Sequence, residues 1–240
     1  MQFLQRRKMN FAILAAGEGS RLAQEGIEQP KPMVEIHGEA MIDRLIRIFN
    51  DCGATNIYII TNNLTPTTKT HLQRLQEADS KIHVIAKTTL SSMHSFYELR
   101  QIMGDGKFCL TTVDTIFKED EFRQYINAWQ QSEEDGMMAV TDYIDDEKPL
   151  YISTTPDNVI TGFHDSEPQR YISGGIYGLD EKSFPVIDKC ILEGQSRMRN
   201  FQRQLVKEGL KLRAYPFSKI LDVDHASDIG KAEDFLSAEK

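Results

Sequence analysis

Residues 11–22 read FAILAAGEGSRL, in which an apolar run leads directly into a glycine-rich turn. The run Phe11–Leu14 has the length and composition of a buried β-strand. The small residues after it allow backbone N–H groups to approach phosphate oxygens closely. Arg21 supplies a cation that can bind phosphate through two hydrogen bonds, and Lys31, in the following PKPM segment, supplies a second positive charge. The pattern predicts a phosphate-binding loop that contains Leu14, Ala15, Ala16, Gly17, Gly19 and Ser20.

Two other phosphate-binding motifs do not fit this loop. A Walker A loop requires the pattern G-x-x-x-x-G-K-[ST], which this stretch lacks. A dinucleotide fingerprint requires a third glycine at the position of Leu22. The loop therefore indicates neither a P-loop NTPase nor a Rossmann dehydrogenase.

The composition is that of an ordinary globular chain. Its 240 residues are 40% hydrophobic and 27% charged, which is sufficient to bury a full core. The sequence contains no internal repeat and no Pro/Gly/Ser-rich linker. We therefore expect a single domain over residues 9–240, preceded by a flexible lead-in at residues 1–8.

The charge and the apolar pattern limit the partners of the protein. The net charge of −8 argues against a general nucleic-acid binder, because such proteins usually carry a basic face. An anionic small substrate remains compatible, since a few local cations reverse the potential at one site. The apolar runs are shorter than the ~20 residues of a membrane helix, and the three cysteines are widely spaced, as in reducing compartments. We expect a cytoplasmic protein without membrane or nucleic-acid partners, and its oligomeric state stays open.

The order of predicted elements indicates the fold class. Strands and helices alternate through the first half of the chain, which predicts parallel strands with helices on both faces. The second half contains short strands, predicted at residues 137–140, 150–153, 159–163 and 176–179, before helices return. We therefore predict a single three-layer α/β/α Rossmann-like domain with a mostly parallel mixed sheet. Its nucleotide-binding half would cover residues 9–118, and its acceptor-binding half residues 119–240.

LAAGEGSRL followed by PKPM resembles the signature loop of the nucleotidylyltransferases that join sugar 1-phosphates to nucleoside triphosphates. Further segments are similar to motifs of that family and occur in the same order. In the family these segments contact the nucleobase, bind magnesium, contact the sugar, and bind magnesium a second time. The four segments are Leu90–Ser95, Thr112–Asp114, Ser173–Tyr177 and Leu221–Asp228.

The resemblance implies a Mg²⁺-dependent enzyme that makes an NDP-sugar and pyrophosphate, with Arg21 and Lys31 as catalytic residues. It also implies two magnesium ligands, Asp114 and Asp222, with Asp224 as an alternative to the second. Asp114 has independent support, because it ends a predicted strand and open α/β sheets bind ligands at such ends. The remaining residues that the resemblance implies are Ser91 and Ser92 for the nucleotide, and Ser173, Gly174 and Gly175 for the acceptor.

The segment before the sugar motif departs from the family pattern. The family often carries E-K-P there, with the lysine on the sugar phosphate, but residues 163–170 contain no lysine. A Glu147-Lys148-Pro149 triplet lies before the predicted 150–153 strand, one hairpin too early. We therefore expect Arg170 to replace the missing lysine. Ser91-Ser92 replaces the family's Gly-Thr pair, which leaves the nucleobase undetermined, and residues 225–227 replace its Gly-Thr-Pro.

Two alternative functions follow from these departures. One is a cytidylyltransferase acting on phosphocholine or another alcohol phosphate, which resembles a related branch of the family. A choline group would require an aromatic cage. The other is a non-catalytic nucleotide-sugar sensor on the same fold, although the presence of both predicted metal-binding aspartates argues for an enzyme. The aromatic residues available for a cage are Tyr143, Tyr151, Phe163, Tyr171 and Tyr177.

Overall fold

The computed structural model describes residues 9–145 and 147–237, and the predicted lead-in at residues 1–8 lies outside them. The strands are β1 (Met9–Ala15), β2 (Glu35–Ile36), β3 (Glu39–Ala40), β4 (Ala54–Thr61), β5 (Ile82–Ala86), β6 (Phe108–Thr112), β7 (Thr115–Ile116), β8 (Gly136–Thr141), β9 (Tyr151–Thr154), β10 (Ile160–His164), β11 (Tyr171–Leu179), β12 (Leu212–Phe217) and β13 (Leu221–Asp222). The helices are α1 (Ser20–Gln24), α2 (Met41–Asp51), α3 (Pro66–Ala78), α4 (Ser92–Arg100), α5 (Glu119–Gln131), α6 (Ser183–Leu192), α7 (Met198–Lys207) and α8 (Ala226–Ser237). A short 3-10 turn covers Lys31–Met33.

One mixed sheet runs through both halves of the described chain. Nine strands take part, along the path β10-β9-β11-β6-β1-β4-β5, and β8 connects β11 to β12. The first-half strands β6, β1, β4 and β5 pair in parallel, as predicted. In the second half, β11 pairs antiparallel with β6, β8 and β9. The predicted α/β fold class is confirmed, and every antiparallel pair of this sheet includes at least one strand of the second half.

The strand β1 separates two hydrophobic cores, because successive side chains of a strand point to opposite faces. Phe11 and Ile13 pack into the core that contains α2, α5 and α8. Ala12 and Leu14 pack into the core that contains α4, α6 and α7. Fully burying a large apolar side chain stabilises a fold by about 1.5–3 kcal/mol, so both helix layers are held firmly against the sheet. This arrangement is the predicted three-layer order.

The strand β11 begins at Tyr171, earlier than the predicted start at residue 176. The sequence Ser173-Gly174-Gly175 interrupts the strand pattern, but the structure keeps it within the strand as a bulge. The pairing register with β8 shifts between Ser173 and Tyr177. Gly175 has a φ of +72°, and an added Cβ would lie 3.0 Å from Thr115 Oγ1. Bulges often adjust backbone direction beside active sites, and this one lies beside β7 and the end of β6.

Candidate active site

Two adjoining cavities lie at the carboxyl ends of β1 and β6. The larger one has a volume of about 590 Å³ and is lined by the glycine-rich loop, by residues 89–92 and by Asp114. The smaller one has a volume of about 310 Å³ and is lined by Ser173, Gly174 and Asp222, among others. Arg21 and Asp224 line both cavities and therefore lie where they meet. We name the larger the loop cavity and the smaller the bulge cavity.

The structure brings most of the predicted nucleotide-binding residues to the loop cavity. Ala15 is the exception. It is buried in the core on the α2 side of the sheet, because its side chain points away from the Leu14 face. The predicted residues that line the loop cavity are Leu14, Ala16, Gly17, Gly19, Ser20, Arg21, Lys31, Ser91, Ser92 and Asp114.

Gly19 allows the loop to approach Lys31. Its φ of +64° lies in the left-handed region that favours glycine. A Cβ at this position would lie 2.9 Å from the Cβ of Lys31, which is closer than two such atoms can come. The sequence predicted a close backbone approach to a ligand here, and the structure adds a close approach to the lysine stem.

Four charged side chains form a chain of ion pairs across the cavity floor. Lys31 Nζ donates to Asp114 Oδ2 at 2.5 Å and to Asp224 Oδ1 at 2.6 Å. Arg21 donates to Asp224 Oδ2 at 2.9 Å. Burial by itself would lower the pKa of Lys31, but the charges of Asp114 and Asp224 raise it well above its ordinary value. Lys31 therefore stays protonated over the whole physiological range.

Asp114 stays ionised for the complementary reason. Its burial would raise the pKa of the carboxyl, but the charge and hydrogen bond of Lys31 lower the pKa below its ordinary value. The pair thus holds a positive and a negative group side by side at the end of β6.

A two-residue ladder places the two predicted magnesium ligands near each other. Asp222 pairs with Thr115 in the antiparallel contact between β13 and β7, and the N–H of Val223 donates to the carbonyl oxygen of Asp114 at 3.1 Å. Burial raises the pKa of the Tyr177 hydroxyl, and the charges of Asp222 and Asp114 raise it further. Asp114 and Asp222, which are far apart in sequence, therefore lie close together beside the β13–β7 ladder.

The donors at this edge fit Mg²⁺, which prefers oxygen ligands and often uses one or two carboxylates plus substrate phosphates. Asp114 and Asp222 supply the carboxylates, and Thr115 Oγ1 donates to Asp222 Oδ1 at 3.2 Å, which orients it. Within residues 9–145 and 147–237, no three His, Cys, Asp or Glu side chains form a metal centre. The two carboxylates alone would leave a bound ion to take its other oxygen ligands from elsewhere.

Asn62 is a supporting residue that the sequence analysis missed. It is buried at the end of β4, and its Nδ2 donates to the carbonyl oxygens of Gly17 at 3.1 Å and Ala16 at 3.4 Å. Its Oδ1 accepts from the N–H of Leu64. Asn62 therefore holds the glycine-rich loop from behind. The available signal was a polar residue directly after a buried strand, at the edge where the loop was already predicted.

The structure separates Arg170 from the predicted acceptor residues. Arg170 is exposed, its guanidinium lies over the ring of Tyr171, and it lines neither cavity. Lys148, which the sequence analysis rejected, lines the bulge cavity with Ser173 and Gly174. The reason is the strand order. Because β9 lies between β10 and β11, the segment before β9 runs beside the bulge, and the N–H of Ser173 donates to the carbonyl oxygen of Leu150 at 2.9 Å.

Two further predicted features take other places in the structure. Gly175 faces Thr112 and Thr115 from within the bulge and does not line the bulge cavity. Of the five aromatic residues considered for a choline cage, Tyr143 alone lines that cavity, and Lys219 already lies 4.1 Å from its ring centroid. The described residues therefore form no aromatic cage at this site.

A histidine–glutamate contact joins the C-terminal end of α1 to the N-terminal end of α8. His225 Nδ1 lies 2.6 Å from Glu25 Oε1, and the N–H of Ala226 donates to Glu25 Oε2 at 2.6 Å. The hydrogen bond with Glu25 is the main reason that the pKa of His225 is raised above its ordinary value. The same bond lowers the pKa of Glu25, so each partner favours the charged form of the other.

This contact predicts a pH-dependent contribution to stability. A raised histidine pKa stabilises the fold fully below the unfolded pKa of about 6.5, and the contribution is lost as pH rises through the folded pKa. We expect His225→Gln to lower the melting temperature more at pH 6 than at pH 9. Thermal unfolding of both proteins at the two pH values tests this, and an equal decrease at both would contradict it.

The family comparison agrees with this geometry. Residues 11–206 match the model of the MobA-like NTP transferase domain, which is most of the chain. The chain belongs to this family. It is a nucleotidyltransferase domain, as the sequence analysis predicted, and the match covers the glycine-rich loop, Asp114 and the bulge.

Individual relatives of this NTP transferase domain include the bifunctional protein GlmU of Methanocaldococcus jannaschii. The two are 26% identical over 246 aligned positions, which cover 97% of this chain and 54% of the relative. The chain thus spans about half the length of the curated relatives it matches. No helix within the described ranges is both long and apolar enough to cross a membrane.

Solved structures share the fold of this domain. The inositol-1-phosphate CTP transferase from T. maritima superposes with a TM-score of 0.79 at 18% identity, covering 95% of each chain. The CTP:phosphocholine cytidylyltransferase from Streptococcus pneumoniae superposes with a TM-score of 0.76 at 19% identity, covering 96% of this chain and 100% of the other. At these identities the likeness concerns the fold alone.

Proposed function

We propose that this domain transfers a nucleotidyl group from a nucleoside triphosphate to the phosphate of a small sugar or alcohol phosphate, with release of pyrophosphate. The observation that carries the proposal is the meeting of two cavities at Arg21 and beside Asp114 and Asp222. The loop cavity offers backbone N–H groups and two cations to a triphosphate. The bulge cavity offers a second, polar compartment to a phosphorylated acceptor.

The reaction itself requires positioning more than covalent work by the protein. An acceptor phosphate oxygen forms a bond to the α-phosphorus, and the bond from that phosphorus to the bridging oxygen of the β-phosphate breaks. The electron pair leaves with pyrophosphate. Arg21 stabilises the negative charge on the leaving group, and Lys31 holds the α-phosphate.

Asp114 and Asp222 would hold Mg²⁺ at the edge between the cavities. When bound, this ion would supply positive charge that reduces the repulsion between the two anionic reactants. Asp222 is oriented for this by Thr115, and Asp114 by Lys31.

The bulge cavity supports an acceptor with several polar groups. Its wall presents acids and cations together, including Asp145 and Lys231, which pair at 3.0 Å. The hydroxyl of Ser173 donates to Gln202 Oε1 at 3.1 Å, so a side chain of α7 fixes the floor of the bulge. Such a wall suits the hydroxyl groups of a sugar or polyol phosphate better than an isolated quaternary ammonium group.

A panel assay tests the proposal. The protein is incubated with Mg²⁺, each of the four common triphosphates, and a set of sugar 1-phosphates, polyol phosphates and phosphocholine, and pyrophosphate release is measured. We expect release that requires one triphosphate and one acceptor together. Pyrophosphate released equally without any acceptor, or released with none of the pairs, would contradict the proposal.

Lys148 and Arg170, the two cations considered for the acceptor phosphate, give a direct prediction. We expect Lys148→Ala to raise the KM for the acceptor about tenfold, because a cation near an anionic ligand typically contributes 1 to 2 kcal/mol. The KM for the triphosphate should change little. Arg170→Ala serves as the matched control, since Arg170 lies outside both cavities. Steady-state kinetics on both variants decide the question, and an acceptor defect in Arg170→Ala alone would restore the assignment made from the sequence.

A further inference from the structure

The two cations assigned to the triphosphate already bind an anion of the chain itself. Asp224 Oδ1 accepts from Lys31 at 2.6 Å, and Asp224 Oδ2 accepts from Arg21 at 2.9 Å. Each oxygen of one carboxylate is therefore used by a different cation. A phosphate group that entered the loop cavity would have to compete with Asp224 for both of them.

The main chain at Asp224 is fixed on both sides. Before Asp224, β13 pairs with β7, and the N–H of Val223 donates to the backbone carbonyl oxygen of Asp114. After it, Asp228 Oδ2 accepts from the N–H groups of Asp224 and His225, at 3.2 and 2.8 Å. The carboxylate itself is 41% exposed where the two cavities meet. The backbone thus holds the carboxylate within reach of the cations, and its exposed side leaves room for the side chain to turn once those two contacts are broken.

We propose that Asp224 is a positioning residue that occupies Arg21 and Lys31 in the empty enzyme and is displaced by the triphosphate. This inference rests on the proposed function, which assigns those cations to the nucleotide. A triphosphate carries several negative charges, whereas Asp224 carries one, so the triphosphate displaces the carboxylate from the cations. Its affinity is lower than it would be if the cations were unoccupied. The carboxylate then returns to the cations as pyrophosphate leaves.

The inference predicts opposite effects on binding and on release. Without the carboxylate, the cations bind phosphate groups without competition, so nucleotide and pyrophosphate both bind more tightly. The KM for the triphosphate should fall, and inhibition by pyrophosphate should become stronger. A merely structural role of Asp224 would weaken both interactions, because a disturbed loop binds phosphate less well.

The direct test uses inorganic tripolyphosphate as the probe, in buffer with excess chelator, and calorimetry on the full chain. We expect Asp224→Asn to bind the probe about tenfold more tightly than the unaltered protein, as removal of a two-point charge pairing near 1.4 kcal/mol would give. Glu28→Gln is the matched control, because Glu28 is exposed and lies outside both cavities, and its loss removes the same charge. Its effect should stay below twofold. Melting temperatures establish that the variants are folded.

A double-mutant cycle tests whether Asp224 acts through Arg21. If Asp224 acts through Arg21, the gain in affinity from Asp224→Asn should shrink below threefold in an Arg21→Ala background. Tripolyphosphate binding by folded Asp224→Asn that is equal to or weaker than that of the unaltered protein, or absent from both, overturns the inference. An equal gain in tripolyphosphate affinity in Glu28→Gln also overturns it. Because the probe needs no turnover, probe binding that behaves as expected without any pyrophosphate release would refute the proposed reaction and leave this inference intact.

Discussion

Asp114→Asn is expected to lower turnover about a thousandfold, or about 4 kcal/mol in activation free energy, because it removes a candidate magnesium ligand and the closest partner of Lys31. Asparagine keeps the shape of the side chain, and Lys31 retains Asp224 at 2.6 Å, so the fold should persist. Pyrophosphate release with the best substrate pair gives the turnover, and thermal unfolding gives the stability. Excess chelator should abolish the activity of the unaltered enzyme.

Asp120→Asn is the control for this prediction. Asp120 is 80% exposed and pairs with Arg123 on the same helix, away from both cavities. It should leave turnover unchanged. Turnover of Asp114→Asn within tenfold of the unaltered enzyme, or an activity that chelator does not affect, would contradict the assignment of Asp114 as a magnesium ligand.

Lys31→Met should lower turnover by a few hundredfold, since losing one preorganised charged donor commonly costs about 3 kcal/mol in the transition state. It should also destabilise the fold, because Asp114 would lose the cation that lowers its pKa. A lowered carboxyl pKa stabilises the fold above the unfolded pKa, and the contribution disappears as pH falls through the folded pKa. The destabilisation should therefore be largest near neutral pH and shrink in acid.

Chemical unfolding at several pH values, together with kinetics, checks both parts of the Lys31 prediction. Lys81→Met is the control, because Lys81 is also paired with an aspartate but lies at the start of β5, outside the active site. A loss of stability that is the same at every pH would show that the Asp114 ion pair is not its cause. Near-normal turnover of Lys31→Met would show that Lys31 has a structural role and no catalytic one.

The local parts of this site could be predicted from the sequence. The strand β1 and the loop after it are encoded within about a dozen residues, so composition and spacing were sufficient for Gly17, Gly19 and Arg21. Asp114 could be placed because it directly follows a buried strand. Each of these predictions depends on neighbours in the chain and on the rule that ligands bind at strand ends.

The missed parts depend on pairing between distant segments. Lys148 reaches the bulge cavity because β9 inserts next to β11, and no local pattern specifies that order. Asp224 meets Lys31 across 193 residues of sequence. Ala15 was assigned to the nucleotide because it lies in the motif, although strand alternation turns its side chain into the core. The motif therefore identified the segment, whereas the alternation of the strand determined which of its side chains face the cavity.

The antiparallel pairing of β11 with β6 has a consequence for motion. This ladder, from Ile176 opposite Thr111 to Leu179 opposite Phe108, joins the two halves of the chain through the middle of one sheet. A hinge between the halves would have to break main-chain hydrogen bonds between buried strands, whereas hinges normally use loops or the ends of elements. We therefore expect the two halves to move together as one block. For the proposed reaction, we expect closure around the reactants to come from loops and from side chains that exchange partners.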